Sequence, residues 1–337
     1  MTLNLTKNWP IVALCTLIVI GMVVPLATGQ SAPGFYLEVL IGGLMAGVLY
    51  SLVALGFVLI FKASGVFNFA QGAMVLFAAL ALARLSEVMP LYVAFGLAIL
   101  IMIVFAWVVE RLVLRHLVNQ EGVVLLMATL GVTYFLDGFG QTIWGSDIYK
   151  IDLGLPKEPM ILAQEVFDGG ILVSKEDLFA TAIAALLVMA LAVFFQKTPT
   201  GRALRAVADD HQAAQSIGIP LNRIWVIVWA VAGFVALVAG MIWGAKLGVQ
   251  FSLQLVALKA LPVVILGGLT SVPGAIVGGL IIGVGEKFAE VFLAPVLSAQ
   301  FGLAGGGIEY WFAYVLCLFF LLVRPEGLFG EKHIDRV

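Results

Sequence analysis

Ten apolar runs separated by short polar stretches constrain this chain more than any other feature. A helix that crosses about 30 Å of hydrocarbon needs roughly 20 apolar residues, and ten segments approach that length. They are residues 10–28, 35–61, 66–84, 91–109, 122–144, 178–195, 222–245, 254–270, 274–294 and 308–323. The pattern predicts an all-α membrane protein, a polytopic helical bundle of about ten transmembrane segments, and counts from about eight to eleven also fit it.

The composition excludes several other classes of protein. Of the 337 residues, 62% are hydrophobic and 11% are charged, whereas a soluble domain carries about 25% charged residues. Too few polar side chains are present to cover a water-facing surface, so the chain is not a soluble globular enzyme. Disordered chains are poor in apolar residues, and the net charge of −2 gives no reason to expect a nucleic-acid partner.

Basic residues are unevenly divided between the two sides of the predicted bundle. With the N-terminus inside, 11 of the 18 lysines and arginines fall on the cytoplasmic side, where positive charge is favoured. These are Lys7, Lys62, Arg111, Arg115, Lys197, Arg202, Arg205, Arg223, Arg324, Lys332 and Arg336. We therefore expect both termini in the cytoplasm. Residues 10–28 form either an extra N-terminal helix or a cleaved, signal-like segment, and the 19-residue length favours a retained helix.

Motifs for catalysis and metal binding do not occur in the sequence. It has no Gly-x-x-x-x-Gly-Lys-Ser/Thr phosphate loop, no Gly-x-Ser-x-Gly elbow and no His-Glu-x-x-His or Cys-x-x-Cys pair. Cys15 and Cys317 lie in separate apolar runs, and the three histidines are widely spaced. We expect no catalytic residue, no cofactor and no metal in this chain, so any ATP hydrolysis would take place on a partner subunit.

Two loops are long enough to carry a function. The predicted external loop, residues 145–177, has seven acidic residues: Asp147, Asp152, Glu158, Glu165, Asp168, Glu176 and Asp177. It is either a solvated cap or a docking surface for an external partner. The predicted cytoplasmic loop, residues 196–221, begins a helix with Thr198 or Thr200 as cap and Pro199 in the first turn. Gly218 and Pro220 end that helix.

The cytoplasmic loop is rich in small residues with polar groups at their edge, which favours close contact with another protein. An amphipathic helix on the membrane surface is the alternative. The candidate contact residues are Gly201, Arg202, Arg205, Asp209, Asp210, Ala213, Ala214 and Gly218. The segment Ala213-Ala214-x-x-x-Gly218 resembles the Glu-Ala-Ala-x-x-x-Gly coupling loop of bacterial ABC importer permeases, with Gln212 where the family often has Glu.

Four stretches in order resemble the branched-chain amino-acid ABC transporter permease family, and together they cover about residues 35–330. They are residues 43–52 running on to Asn68-Phe69-Ala70-Gln71-Gly72, then 201–210, then 258–279, then 324–330. The resemblance implies an inner-membrane permease subunit that forms a single transmembrane domain over residues 1–337, with a core at 35–330 and an ATPase-coupling loop at 198–220. The solute would be a branched-chain or other amino acid, or a related amide or organic acid.

The same resemblance implies partners for the chain. These are cytoplasmic ATP-binding subunits, a periplasmic solute-binding protein, and a second permease subunit that is either a homologous chain or another copy of this one. The location would be the bacterial inner membrane. The alternative is a secondary transporter or channel that works without an ATPase. That alternative explains the spans equally well, but it gives no reason for the cytoplasmic loop.

A polar dip at residues 62–72 is either a cytoplasmic turn or a broken helix that lines a cavity. In the second case Ser64, Asn68 and Gln71 would offer neutral hydrogen bonds to a passing solute. Asp137, an acid within the fifth run, is a further pathway candidate because an intramembrane acid needs a partner or water. The family often has His and Glu where this chain has Gln71 and Ala73, which suggests a solute other than the usual amino acids.

Charged residues and paired glycines in the later runs have structural interpretations as well as functional ones. Lys259, Glu286, Lys287 and Glu290 indicate either ion pairs near the outer interface, with Lys259 extending to that interface, or a polar vestibule. Four Gly-x-x-x-Gly pairs favour close helix packing within the chain or against a partner permease. They begin at residues 43, 240, 274 and 279.

Overall fold

The computed structural model describes residues 33–330, except 66, 118–119, 156–157, 168, 210 and 302–306. The predicted segment 10–28 lies outside the described residues. The helices are α1 Pro33–Ser64, α2 Gln71–Ser86, α3 Leu91–Leu112, α4 Gly122–Trp144, α5 Lys175–Lys197, α6 Pro199–Asp209, α7 His211–Ser216, α8 Leu221–Leu247, α9 Val256–Gly267, α10 Val272–Phe288, α11 Ala294–Phe301 and α12 Ile308–Val323. Short 3-10 turns at Leu114–His116 and Phe251–Leu255 and a π-helical turn at Ala289–Leu293 adjoin α3, α9 and α10.

The polytopic helical fold is confirmed, but the count of about ten membrane spans is not supported. In the described part of the chain, five helices are long and apolar enough to cross a membrane: Pro33–Ser64, Leu91–His116, Gly122–Trp144, Lys175–Lys197 and Leu221–Leu247. A sixth span results if Phe251–Gly267 and Val272–Ala299, which meet at a bend of 117°, count as one. Each of the nine described runs still contains a helix. The lower number arises because α2 has only 16 residues, α12 is also short, and α9 and α10 form the bent pair.

The chain divides into two compact units. The first comprises Met1–Ser51, Leu155–Ala185 and Lys259–Val337, and the second comprises Leu52–Gly154 and Leu186–Leu258. In the first unit, the glycine pairs of α1 and α10 meet: a Cβ on Gly47 would lie 2.6 Å from the carbonyl oxygen of Gly279. The Ser51 hydroxyl donates to the Gly47 carbonyl at 2.8 Å. These glycine pairs therefore pack helices within the chain, as one of the two predicted interpretations had it.

A two-stranded hairpin also belongs to the first unit. Its strands are β1 Pro159–Leu162 and β2 Ile171–Ser174, which pair antiparallel with Ile161 opposite Leu172. Alternate residues of β2 are buried: Ile171 and Val173 pack against Met45. The Leu172 amide donates to the Glu38 carboxylate at 3.1 Å. The predicted external loop thus contains an ordered hairpin attached to α1.

The second unit is built around α2. Its residues from Gln71 to Ala83 are all buried, because α3, α4, α8 and the 3-10 turn Phe251–Leu255 surround it. Small side chains allow this close packing: a Cβ on Gly240 of α8 would lie 2.6 Å from the Val75 carbonyl oxygen. The irregular stretch before α2 is held in place by the same packing, and it positions the polar residues described below.

Candidate functional site

The cytoplasmic loop forms two consecutive helices, α6 and α7, and Thr198 is the one of the two predicted caps, Thr198 and Thr200, that bonds to the start of α6. The Thr198 hydroxyl oxygen accepts a hydrogen bond from the Gly201 amide at 3.0 Å, and Pro199 is the first helical residue. A threonine oxygen in this position satisfies one of the amides that have no partner inside the helix. The loop therefore has a fixed beginning directly after α5.

Gly218 has the predicted left-handed conformation, but it follows the second of two helices instead of ending one helix that runs from Thr198. Its φ angle is +86°, a left-handed conformation that residues with a Cβ adopt at a cost. The Ile219 amide donates to the Ala214 carbonyl at 3.0 Å, and the Gly218 amide donates to the Gln215 carbonyl at 2.9 Å. This pair of bonds is the Schellman arrangement for a helix end. Both ends of the loop are thus fixed by local hydrogen bonds.

The predicted contact residues of the loop separate into buried and exposed groups. Arg205 donates to the carbonyl oxygens of Phe195 and Gln196 at the end of α5. Gly201 lies against the same segment, where a Cβ would be 2.7 Å from the Phe195 carbonyl carbon. Ala214 is buried at 2% exposure. Arg205 and Gly201 therefore fix the loop against the end of α5, and Ala214 is covered by protein.

Three other loop residues face away from the chain: Arg202, Ala213 and Gly218 are exposed. Beside them Ile217 is 74% exposed, and it was absent from the predicted contact set. Asp210 lies outside the described residues, and the structure does not describe the side chain of Asp209. The apolar side chains of α6, Leu204 and Val207, are buried in the protein, so they are not free to enter a membrane surface.

The polar dip is a break between α1 and α2, and it brings two predicted pathway residues together. Asn68 and Gln71 are both 0% exposed, and the Asn68 side-chain amide donates to Gln71 Oε1 at 3.4 Å. Asn68 Oδ1 accepts from the Ala70 amide at 3.1 Å. Gln71 Nε2 is buried and meets no hydrogen-bond acceptor among the described residues. Ser64 bonds locally instead, donating to the Ile60 carbonyl at 2.8 Å.

Thr129 of α4 is a member of this group that the sequence analysis missed. Its hydroxyl oxygen accepts from the Phe69 amide at 3.3 Å, and the hydroxyl lies 3.4 Å from the Phe67 carbonyl. It is 4% exposed, and it joins the break to α4. The available signal is its spacing, eight residues before Asp137 in the same mostly apolar run.

Asp137 lies farther along α4. Eight residues of helix separate it from Thr129, a distance of about 12 Å, so the structure does not bring it into the Asn68–Gln71 group. Its side chain is partly buried. In the described part of the chain no donor reaches the buried atom Asp137 Oδ1.

The charged residues of α9, α10 and the adjoining π-helical turn form ion pairs within the first unit. Glu286, 6% exposed, accepts hydrogen bonds at Oε1 from Lys259 Nζ and from the Tyr50 hydroxyl, both at 3.1 Å. The Lys259 ammonium also lies 4.5 Å from the centre of the Tyr310 ring. Lys287 and Glu290 pair at 2.8 Å. The predicted structural pairing is confirmed, and Lys259 contacts Glu286 and Tyr310 within the protein.

The described residues contain no group of three His, Cys, Asp or Glu side chains placed to hold a metal ion. The candidate site consists of hydrogen-bonding and charged side chains, together with the exposed surface of the loop. Such groups can bind and pass a polar solute and can contact a partner protein.

Comparison with known proteins places the chain among permeases. Residues 39–323 match the family model described as branched-chain amino acid transport system / permease component. The high-affinity branched-chain amino acid transport system permease protein LivH of Salmonella typhimurium is 27% identical over 326 residues, covering 90% of this chain and 98% of LivH. BraD, the corresponding protein of Pseudomonas aeruginosa, is 28% identical over 318 residues with the same coverage. A probable LivH of Methanocaldococcus jannaschii is 28% identical over 300 residues, 87% of this chain and 92% of that protein.

Proposed function

Because the chain belongs to the branched-chain amino acid transport system permease family, we propose that it is the permease subunit of an ATP-binding-cassette importer for branched-chain amino acids. The observation that carries this proposal is the family match over residues 39–323, supported by relatives similar over nearly their whole length. The helical membrane fold agrees with it. A transporter or channel without an ATPase is not favoured, because the relatives are named as permease components of transport systems.

The pathway for the solute uses polar groups set among apolar helices. Asn68 and Gln71 at the break, Ser64 at the end of α1 and Asp137 on α4 are its candidate contacts. Asn68 and Gln71 are neutral and fully buried, so they can exchange hydrogen bonds with a solute without a large cost for desolvating a charge. Neutral contacts favour rapid release of the solute, which suits a transport pathway more than a high-affinity binding site.

The loop at 198–220 couples passage of the solute to ATP hydrolysis on separate ATP-binding subunits. The exposed residues Arg202, Ala213 and Gly218 contact the ATPase, while Gly201, Arg205 and Ala214 hold the loop in position. Asp209 and Asp210 belong to the contact set on the sequence alone. A solute-binding protein delivers the amino acid from outside, and a second permease subunit, homologous or identical, completes the pathway. Both termini lie in the cytoplasm.

A reconstitution experiment tests the function. The chain is co-expressed with the ATP-binding subunits, second permease and solute-binding protein of its own system, purified, and placed in vesicles. We expect ATP-dependent uptake of radiolabelled leucine, isoleucine and valine. Failure of the ATP-binding subunits to copurify, or uptake that does not depend on ATP, would contradict the proposal. Competition by other amino acids, amides and short organic acids tests whether the replacement of the family's His and Glu by Gln71 and Ala73 changes the preferred solute.

A separate variant tests the coupling loop. Gly218→Asp places a Cβ and a charge at an exposed position with φ +86°, and it should greatly reduce uptake while the protein remains in the membrane. Gly218→Asn is the matched control, because asparagine tolerates the left-handed conformation better than most residues. Uptake by Gly218→Asp at the unaltered rate would remove the loop from the coupling surface.

A further inference from the structure

Polar side chains follow one flank of α4 at intervals of four residues. They are Thr129, Thr133, Asp137 and Gln141. Residues four apart are neighbours on a helix surface, so these side chains form a continuous row. The row begins on the buried face of α4 with Thr129, and at Asp137 it lies between that face, with Leu136, and the exposed face, with Tyr134 and Phe135. It starts beside the break that holds Asn68 and Gln71.

The members of this row differ in their hydrogen bonding. The Thr129 hydroxyl donates to the Leu126 carbonyl at 2.9 Å, and the Thr133 hydroxyl donates to the Thr129 carbonyl at 2.8 Å. Gln141 Oε1 accepts from the Ser146 hydroxyl at 3.4 Å. By contrast, Asp137 Oδ1 is buried, and nothing in the described ranges donates to it. An acid at this depth in an apolar helix is costly unless a donor or water meets it.

We propose that Asp137 binds the ammonium group of the amino acid as it passes along this flank of α4. The inference rests on the proposed function, since it requires a solute that carries an ammonium group. A carboxylate oxygen without a donor complements an ammonium, which brings positive charge and three N–H donors. Asp137 thus makes the pathway selective for amino acids over carboxylic acids of the same shape.

Gln71 offers a hydrogen-bond donor where Asp137 offers an acceptor. It lies at the start of α2, next to the segment that Thr129 contacts. Its Nε2 is a buried donor that finds no acceptor in the described chain, and the carboxylate of an amino acid is an acceptor. About 12 Å of helix separates Thr129, beside Gln71, from Asp137. An amino acid is too short to span that distance, so the two residues act as successive stations.

A cation from a neighbouring membrane protein is a less suitable partner for Asp137. Such a side chain would approach the exposed face of α4, which at this level presents aromatic rings: Tyr134 is 74% exposed and Phe135 is 58% exposed. Asp137 is only partly exposed and lies beside that face. Its position on the flank favours a small solute that moves along the row.

The test uses the complete importer in vesicles with radiolabelled leucine. Asp137→Asn keeps the shape and removes the charge, and we expect uptake to fall about tenfold or more, the effect typical of a lost charged hydrogen bond. Asp137→Glu should retain most of the uptake. Thr142→Val, on the exposed face of the same helix, is the matched control and should transport at the unaltered rate.

Two further measurements separate the proposal from its competitors. An ammonium site predicts fewer leucine molecules transported per ATP hydrolysed in Asp137→Asn, whereas a purely structural role lowers transport and hydrolysis together. The proposal is overturned if that ratio is unchanged, if Asp137→Asn transports within about twofold of the unaltered importer, or if the variant loses its copurifying subunits. Absence of leucine uptake by the unaltered importer would contradict the proposed function itself.

Discussion

The two groups of buried polar side chains differ in whether their hydrogen-bonding atoms are paired. In the first unit, Glu286 receives hydrogen bonds from both Lys259 and Tyr50. In the second unit, Gln71 Nε2 and Asp137 Oδ1 are buried without a partner among the described residues. Removing one member of a paired group destabilises the fold, because it leaves a buried charge uncompensated. An unpaired buried group costs stability, and we propose that Gln71 and Asp137 bind the solute.

The largest expected effect comes from breaking the paired group. Glu286→Gln leaves the Lys259 ammonium without its anion in a mostly buried setting, and we expect the free energy of unfolding to fall by about 3 kcal/mol. Thermal unfolding of the purified protein in detergent measures the change. Glu290→Gln is the control, because its pair with Lys287 is 41–45% exposed and contributes about 0–1 kcal/mol. Equal unfolding temperatures for the two variants would contradict the structural role of Glu286.

A substitution in the unpaired group is expected to raise the free energy of unfolding instead of lowering it. Gln71→Met replaces a fully buried amide by an apolar side chain of similar length, and it removes a donor that has no acceptor in the described part of the protein. We expect a gain of about 1 kcal/mol in the free energy of unfolding, together with slower leucine uptake. A variant that unfolds at lower temperature would show that the weak bond from Asn68 outweighs the unpaired donor.

The smallest effect on stability is expected in the cytoplasmic loop. There Arg205 is hydrogen-bonded to the end of α5, whereas Arg202 is exposed. Arg202→Ala removes an exposed side chain, so stability should change by no more than about 0.5 kcal/mol, while less ATP-binding subunit copurifies. Arg205→Ala removes hydrogen bonds to the carbonyls of Phe195 and Gln196, so proteolysis within residues 196–221 should become faster. If Arg202→Ala instead exposes the loop to protease, the assignment of inward and outward residues is wrong.

Local patterns in the sequence predicted the helices and the ends of the loop well. Apolar run length located a helix in each described segment, and the identities of Thr198 and Gly218 predicted the helix start and the left-handed end that the structure has. These features depend on residues close in sequence. Hydropathy alone does not show that α9 and α10 meet at 117°, because the length of an apolar run carries no information about the angle between helices.

Features that depend on residues distant in sequence are harder to predict from the sequence alone. Thr129 joins the break through residues 60 and 62 positions away, and Tyr50 reaches Glu286 across 236 positions, so neither contact follows from spacing. Likewise, the sequence identified Arg202 and Arg205 as polar but not which one bonds to α5. The solvent exposure of a side chain is set by packing between elements, which a periodic pattern describes only for regular helices.

The burial of α2 has a consequence for how the protein responds to its membrane. A helix of 16 residues is about 24 Å long, which is shorter than the roughly 30 Å of hydrocarbon in a bilayer. Residues Gln71 to Ala83 are all covered by protein, so lipid tails do not press on this part of the helix. Thickening or thinning of the bilayer acts first on helices with exposed surfaces, such as α3 and α4. A change in bilayer thickness therefore affects the polar break beside α2 indirectly, through the helices that pack around α2.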